Sequence, residues 1–173
     1  MTSLALPSSE HYEAWAECVA EFGGSTDERH GDGHWHLPEG LQTRTDRETY
    51  EVFIQLLRRM GHDPVAPQVP SDHWWIVEGR TVLGFIAIRH RLNDYLLEHG
   101  GHVGYSIRPS RRREGHASRA VSLALTRCRE LGIDRVLITC ADGNVGSART
   151  IESNGGVLED VREGVRRYWV ELA

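Results

Sequence analysis

Hydrophobic residues along this chain follow two periods, and the change between them divides it. Up to Gly61 apolar positions recur every three or four residues, the spacing of helices with one buried face. Ser8 or Ser9 caps a predicted helix with Tyr12, Trp15, Ala16, Val19 and Phe22 on one face, and Gly23-Gly24 ends it. Asp46 opens a second, with Tyr50, Phe53, Ile54, Leu57 and Met60 inward, and Gly61 closes it. A short apolar segment, Leu4–Leu6, reads as a first strand. Between the helices, Ser25–Thr43 is polar, rich in Gly and His, and without period, so it is predicted as a long loop of the kind that carries function.

Asp63–Ser71 holds three of the six prolines and is a connector. Short apolar runs then take over. His73–Val77 and Thr81–His90 flank Glu78-Gly79-Arg80 as a hairpin. Val82–Ile88 is almost continuously apolar, which predicts a strand covered on both faces. Leu92–His99 reads as a short helix or structured loop. A strand over Gly101–Ile107 follows, then a helix over Gly115–Leu131 with Ala117, Ala120, Val121, Ala124, Leu125, Cys128 and Leu131 inward. Arg135–Cys140 is a strand and Asn144–Asn154 a helix. Val157–Arg162 and Val165–Leu172 form a hairpin around Glu163-Gly164. Helices and strands interleave around a mixed sheet, so the class is α/β (α+β), and the length suits one domain over residues 1–173.

Charge narrows the partners. A formal net charge of −5 disfavours nucleic acid, whose non-specific binding needs an excess of Lys and Arg. Cys18, Cys128 and Cys140 form no CxxC pair and read as buried thiols of a cytoplasmic protein. No membrane span or signal peptide is expected. The basic residues are instead local: Arg108, Arg111, Arg112 and Arg113 lie within six positions, after a strand and before a helix. Free amides at a helix N-terminus, with its dipole, form an anion site. The sequence lacks GxxxxGK[ST], and no GxGxxG joins strand to helix, so nucleoside-triphosphatase and Rossmann sites are not expected.

What does occur is [R/Q]-x-x-G-x-[G/A], as Arg112-Arg113-Glu114-Gly115-His116-Ala117. After the helix and the next strand come Asn144-x-x-Ser147 and Gly155-Gly156. This run resembles the coenzyme A pyrophosphate loop of the GNAT superfamily of N-acetyltransferases. It is most similar to a bacterial subgroup with a strand ending IRH, then LN-x-YLL and GGH-x-GYS. The resemblance is good over Trp74–Trp169 and poor before it. It implies a mixed, mostly antiparallel sheet with splayed central strands, flanked by helices, in which residues 73–173 form the CoA-binding core and 1–72 a helical, acceptor-side part.

The resemblance implies acetyl-CoA as cosubstrate, with no metal. The amides of Arg113, Glu114, Gly115, His116, Ala117 and Ser118 would hold the diphosphate, with Arg112 adding charge. Backbone groups of Ile107 would bind the pantetheine arm and supply an oxyanion donor, while Asn144 and Ser147 contact the arm from the other side. Asn144 is equally a good N-cap. Glu114 departs from the pattern and must turn outward or pair with an arginine. The implied reaction moves the acetyl group to a primary amine of a small molecule by direct attack in a ternary complex. Alternatives are a non-catalytic acyl-CoA-binding or sensing module, or acetylation of a protein or aminoacyl-tRNA. Self-association as a homodimer follows from the resemblance alone.

The residues leave the catalysts open. An amine that is mostly protonated at neutral pH needs a base. His102 is the first candidate and His90 the second, against the alternative of a histidine satisfied by backbone at a strand end. The family's general acid, a Tyr seven positions after Asn144, is Ile151 here. Tyr105, Tyr168, Cys140 or water are substitutes, or no acid is needed. On the acceptor side, Trp35 is read as an apolar contact and Glu28 or Asp32 as attracting a cationic amine. Asn93 and Tyr95 line the pocket or merely structure their loop. His34-x-His36 has the spacing of two zinc ligands but no evident fourth.

Overall fold

The computed structural model describes residues 1–172. The strand Thr81–Arg89 is buried at every position from Val82 to Ile88, because helices cover both its faces. In chain order the strands are β1 (Ser3–Ala5), β2 (Ser71–Glu78), β3 (Thr81–Arg89), β4 (Val103–Ile107), β5 (Arg135–Ala141), β6 (Val157–Arg162) and β7 (Val165–Glu171). They form one seven-stranded sheet in the order β1-β2-β3-β4-β5-β7-β6. Every neighbouring pair is antiparallel except β4 and β5, which run parallel. The mixed, mostly antiparallel sheet agrees with the expected class.

Helices α1 (Tyr12–Ala20) and α2 (Arg47–Met60) cover one face. Their Trp15, Tyr50, Phe53 and Ile54 pack with Trp75, Val77, Val82 and Phe85 of the sheet. Helices α3 (His116–Glu130) and α4 (Val145–Ser153) cover the other, where Ala120, Val121, Ala124 and Ile151 meet Ile86, Ile88, Val103 and Tyr168. The Asp46 carboxylate caps α2 by accepting from Thr49 N at 3.0 Å, as its sequence position predicts. The expected serine cap on α1 does not form. A 3₁₀ turn, Ser9–His11, precedes that helix, Ser8 Oγ meets His11 Nδ1, and Ser9 Oγ donates to Glu51. The segment before β4 contains a single π-helical turn, Leu96–Gly100. Among the described residues no helix is long and apolar enough to cross a membrane.

Candidate active site

The parallel pair β4 and β5 is joined over a very short length. One ladder position, Val103↔Ile138, links them. Below it, His102 N donates to Leu137 O at 2.7 Å, and Leu137 N donates to His102 Nδ1 at 2.9 Å. Beyond Val103 the strands part, so Gly104–Ile107 and Thr139–Ala141 border a wedge. It opens at the strands' C-terminal ends, where unpaired main-chain groups are free for a ligand.

The chain leaving β4 builds the anion site above this wedge. Pro109–Arg111 makes a 3₁₀ turn, Arg113 takes φ 65° and Gly115 φ 85°, and α3 begins. Arg119 N bonds Gly115 O, but the six amides from Arg113 to Ser118 have no protein acceptor among the described residues. A Cβ at Gly115 would meet open space, so nothing in the protein fills the volume before these amides. Converging free N–H groups at the positive end of a 15-residue helix fit a diphosphate.

Most of the arginines expected to serve this anion are used internally. Arg108 pairs with Glu21, holding that carboxyl at about 2, and Ser110 also donates to it. Arg112 Nε donates to Ile107 O at 3.0 Å, and its Nη2 reaches Glu28 at 3.1 Å. Glu28 thus faces Arg112, not an amine, and the Ile107 carbonyl already has a partner. Arg111 bridges Glu78 and Glu114. Glu114 also meets His116 Nε2 at 3.0 Å, and these partners lower its pKa, Arg111 chiefly. This is the outward, arginine-paired position that its place near a diphosphate requires. Of the four arginines, Arg113 alone has no ion pair among the described residues.

On the α4 side, Asn144 Oδ1 accepts from Ser147 N at 3.0 Å as a helix cap, and Ser147 Oγ lies 2.7 Å from Tyr105 Oη. Burial pushes the Tyr105 hydroxyl up to about 12. Ile151 is fully buried in the core. Tyr168 is equally enclosed and donates to Glu152 at 3.0 Å. Burial raises the Cys140 thiol too.

The opposite side of β4 is roofed by residues 29–37. Ser106 Oγ donates to His30 O at 2.8 Å. Gly31 lies so close to the Gly104 carbonyl that a Cβ there would overlap it, and its φ is 85°. Asp32, fully buried, fixes the turn: it accepts from His34 N at 2.9 Å and meets His34 Nδ1 at 2.6 Å, with Arg29 3.4 Å away. It is therefore unavailable to a cationic amine. His36 meets Gln68 at 3.0 Å, and no group of three or more His, Cys, Asp or Glu able to hold a metal forms among the described residues. Trp35 keeps 38% of its surface exposed.

The candidate bases separate here. His102 is buried, and its Nδ1 accepts from the Leu137 amide, so the neutral ring bears its proton on Nε2 and has no free lone pair. Burial, with Arg89 adding, drops its pKa to about 4. Its place is that of a strand-joining residue. His90 turns to the α3 side, with Nε2 3.0 Å from Asp72, which also pairs with Arg127. Asn93 caps the π turn through Leu96 N and donates to Pro67 O, so its polar atoms are occupied. Tyr95 is 68% exposed. Sequence reasoning missed His30 and Arg89, which the roof and the end of β3 bring to β4. The available signal was a lone arginine ending an otherwise apolar strand.

The family model described as an acetyltransferase (GNAT) domain matches residues 5–157. The chain therefore belongs to the GNAT acetyltransferases and is an acetyl-CoA-dependent N-acetyltransferase. Solved structures share the fold. An acetyl transferase from Salmonella typhimurium that modifies the N-terminal serine of ribosomal protein L7/L12 superposes with a TM-score of 0.66 at 16% identity, over 99% of this chain and 95% of that one. The microcin C7 self-immunity acetyltransferase MccE, solved with acetyl-CoA and AMP, gives 0.64 at 13% identity, over 98% and 92%. PaiA N-acetyltransferase from Thermoplasma acidophilum, solved with coenzyme A, gives 0.60 at 13%, over 99% of both chains. Comparison with curated protein sequences gave no match.

Proposed function

We propose that this enzyme acetylates a primary amine of a small molecule by direct attack within a ternary complex. The observation that carries this reading is the roof. Gly31 rests on the Gly104 carbonyl and His30 O holds Ser106, so the acceptor face of β4 is narrowed by the chain itself and stays open only beside Arg89 and Trp35. A compact amine suits such a site better than a folded protein surface. In this reading residues 1–72 furnish most of the acceptor side and 73–173 hold CoA. The amides of Arg113–Ser118 clasp the diphosphate, and the splayed edges of β4 and β5 take the pantetheine arm. When bound, acetyl-CoA supplies the activated acyl carbonyl.

His30 is the base we assign. Its main chain is fixed to β4 through Ser106, and its solvent-accessible ring has a pKa lowered by partial desolvation first and by Arg89 second, so the ring is neutral near pH 7 and free to accept a proton. Tyr105 is the matching donor: its hydroxyl stays protonated and faces α4 across the wedge. Thiol release from acetyl-CoA, followed across amino acids, polyamines, aminoglycosides and short N-terminal peptides, tests the reading. Turnover of a small amine is expected. Turnover confined to peptides would reject it, and no thiol release with any acceptor would favour an acyl-CoA-binding module.

A further inference from the structure

Arg89 ends β3 on the acceptor face. A Cβ built at Gly104 of β4 would stand 3.2 Å from Arg89 Nη1 and 3.5 Å from Nη2, so the guanidinium fills the space that glycine leaves. Nη1 donates to Gly100 O at 3.1 Å and to Gly101 O at 3.4 Å. Nε and Nη2 have no protein acceptor among the described residues, yet they are not sealed from solvent. No carboxylate pairs with Arg89 there; among the described residues its cation is favoured only by the Gly100 and Gly101 carbonyls, the Trp35 ring and Tyr95. The acids of this region are engaged elsewhere: Asp32 by Arg29 and His34, Glu98 by Arg162. His30, His36, His73 and His102 are kept neutral chiefly by desolvation, and the arginine's charge adds to it as repulsion.

A partly desolvated cation without a counter-ion is costly, and its burial holds Arg89 down to about 10. Such a cost is retained where a ligand brings the missing charge. The free donors, Nε and Nη2, form one edge of the guanidinium, the fork that receives a carboxylate in two parallel hydrogen bonds. We propose that Arg89 binds a carboxylate of the acceptor, which is therefore an amine carrying a carboxylate a few bonds from its nitrogen, such as a free amino acid. The proposal rests on the small-molecule reading above and names its substrate class. Strands rise about 3.3 Å per residue. An acceptor anchored beside Gly104 thus presents its amine to the open half of the wedge at Tyr105–Ile107. Trp35, with its ring centre 6.0 Å from Arg89 Cζ, offers an apolar wall for the acceptor's side chain. A peptide N-terminus has its α-carboxyl locked in an amide and lacks this handle.

The experiment compares amino acids with their amides and decarboxylated amines in wild type, Arg89→Met and Arg89→Lys. Wild type is expected to favour the acid over the amide by roughly 10- to 100-fold in kcat/KM. Arg89→Met brings that ratio near unity while CoA affinity stays unchanged. Arg89→Lys keeps the cation, loses the fork and falls between, and it carries the test if the methionine variant does not fold. The ratio is read because loosening of the Gly100–Gly101 turn slows acids and amides alike. Amides serving wild type as well as acids, or a ratio that survives in Arg89→Met, would overturn the proposal. Binding decides it independently of turnover. N-acetylated amino acids should raise the Tm of CoA-loaded wild type and leave CoA-loaded Arg89→Met unmoved. Equal shifts, or none in wild type, reject the carboxylate site. If no amine of any kind releases thiol, the acetyl-transfer reading fails while this binding result stands.

Discussion

The two sides of β4 are made differently. Toward α3, the site we assign to CoA is main chain: six free amides in a row, placed by a 3₁₀ turn, two left-handed residues and a helix start. Toward the roof, the acceptor site we propose is side chains from three separated segments, His30 and Trp35, Arg89, and the glycines that let them approach. A main-chain cradle fits what every acyl-CoA shares, and a side-chain cluster fits one acceptor. The difference predicts that damage to either side leaves the other's ligand alone.

The largest expected effect is at Gly115. Gly115→Glu puts bulk and negative charge into the open volume before the amides and strains a backbone at φ 85°. CoA binding should be lost in calorimetry, by 100-fold or more on the order expected for an anion site facing a carboxylate. CoA affinity unchanged in a folded variant would dismiss the loop as the diphosphate site. The mirror experiment is Gly31→Ala. The new methyl overlaps the Gly104 carbonyl, and left-handed backbone costs a non-glycine residue about 1–2 kcal/mol. The roof should lift, so that kcat/KM for the acceptor falls about 100-fold, as misplacement of a positioned group does, with CoA affinity kept. Equal losses on both ligands would erase the comparison.

The same contrast explains what the sequence disclosed. The helix over His116–Glu130, its Gly115 start, the Asp46 cap and the doubly covered β3 follow from periodicity and local backbone chemistry, and each stands where the pattern puts it. The row of free amides at the start of α3 was legible because its donors are consecutive in the chain. The acceptor side was not, because no local rule says that His30 will lie over Ser106, that Glu28 will turn to Arg112, or that Asp32 will be spent inside its own turn. His102 looked like a base for the same reason. Its position at the strand start is visible in sequence, but the Leu137 amide that occupies its Nδ1 comes from β5.

That distinction is measurable. His30→Gln should lower kcat/KM by about 100-fold near neutral pH and abolish the acidic limb of the pH–rate profile, as loss of a general base does. His102→Gln keeps an oxygen to accept from Leu137 N and should leave the limb in place. Its signature is in stability. The His102 pKa is about 4 in the fold and about 6.5 in the unfolded chain, so the neutral ring's stabilisation is fully present above pH 6.5 and lost as pH falls through 4. Urea unfolding should therefore show wild type losing about 3 kcal/mol more than His102→Gln between pH 6.5 and 4. An identical pH dependence in the two proteins would mean that the imidazole is not held neutral between β4 and β5.

The smallest effect belongs to Tyr105, where the two sides meet. Its hydroxyl is bonded to Ser147 on α4, and burial keeps it protonated to about pH 12, so it can offer a hydrogen to the departing sulfur but has no reason to surrender it. A thiol with a pKa near 8.5 leaves adequately as the anion. Tyr105→Phe removes the donor and also leaves Ser147 Oγ one partner short at a half-exposed place, which costs little because water can replace it. Turnover should fall by about 3- to 10-fold, the value of one neutral hydrogen bond made mainly late in the reaction. Neither CoA affinity nor the carboxylate preference at Arg89 should move. A drop of 100-fold or more would instead make Tyr105 the obligatory acid, standing in from β4 for the position that Ile151 fills with core.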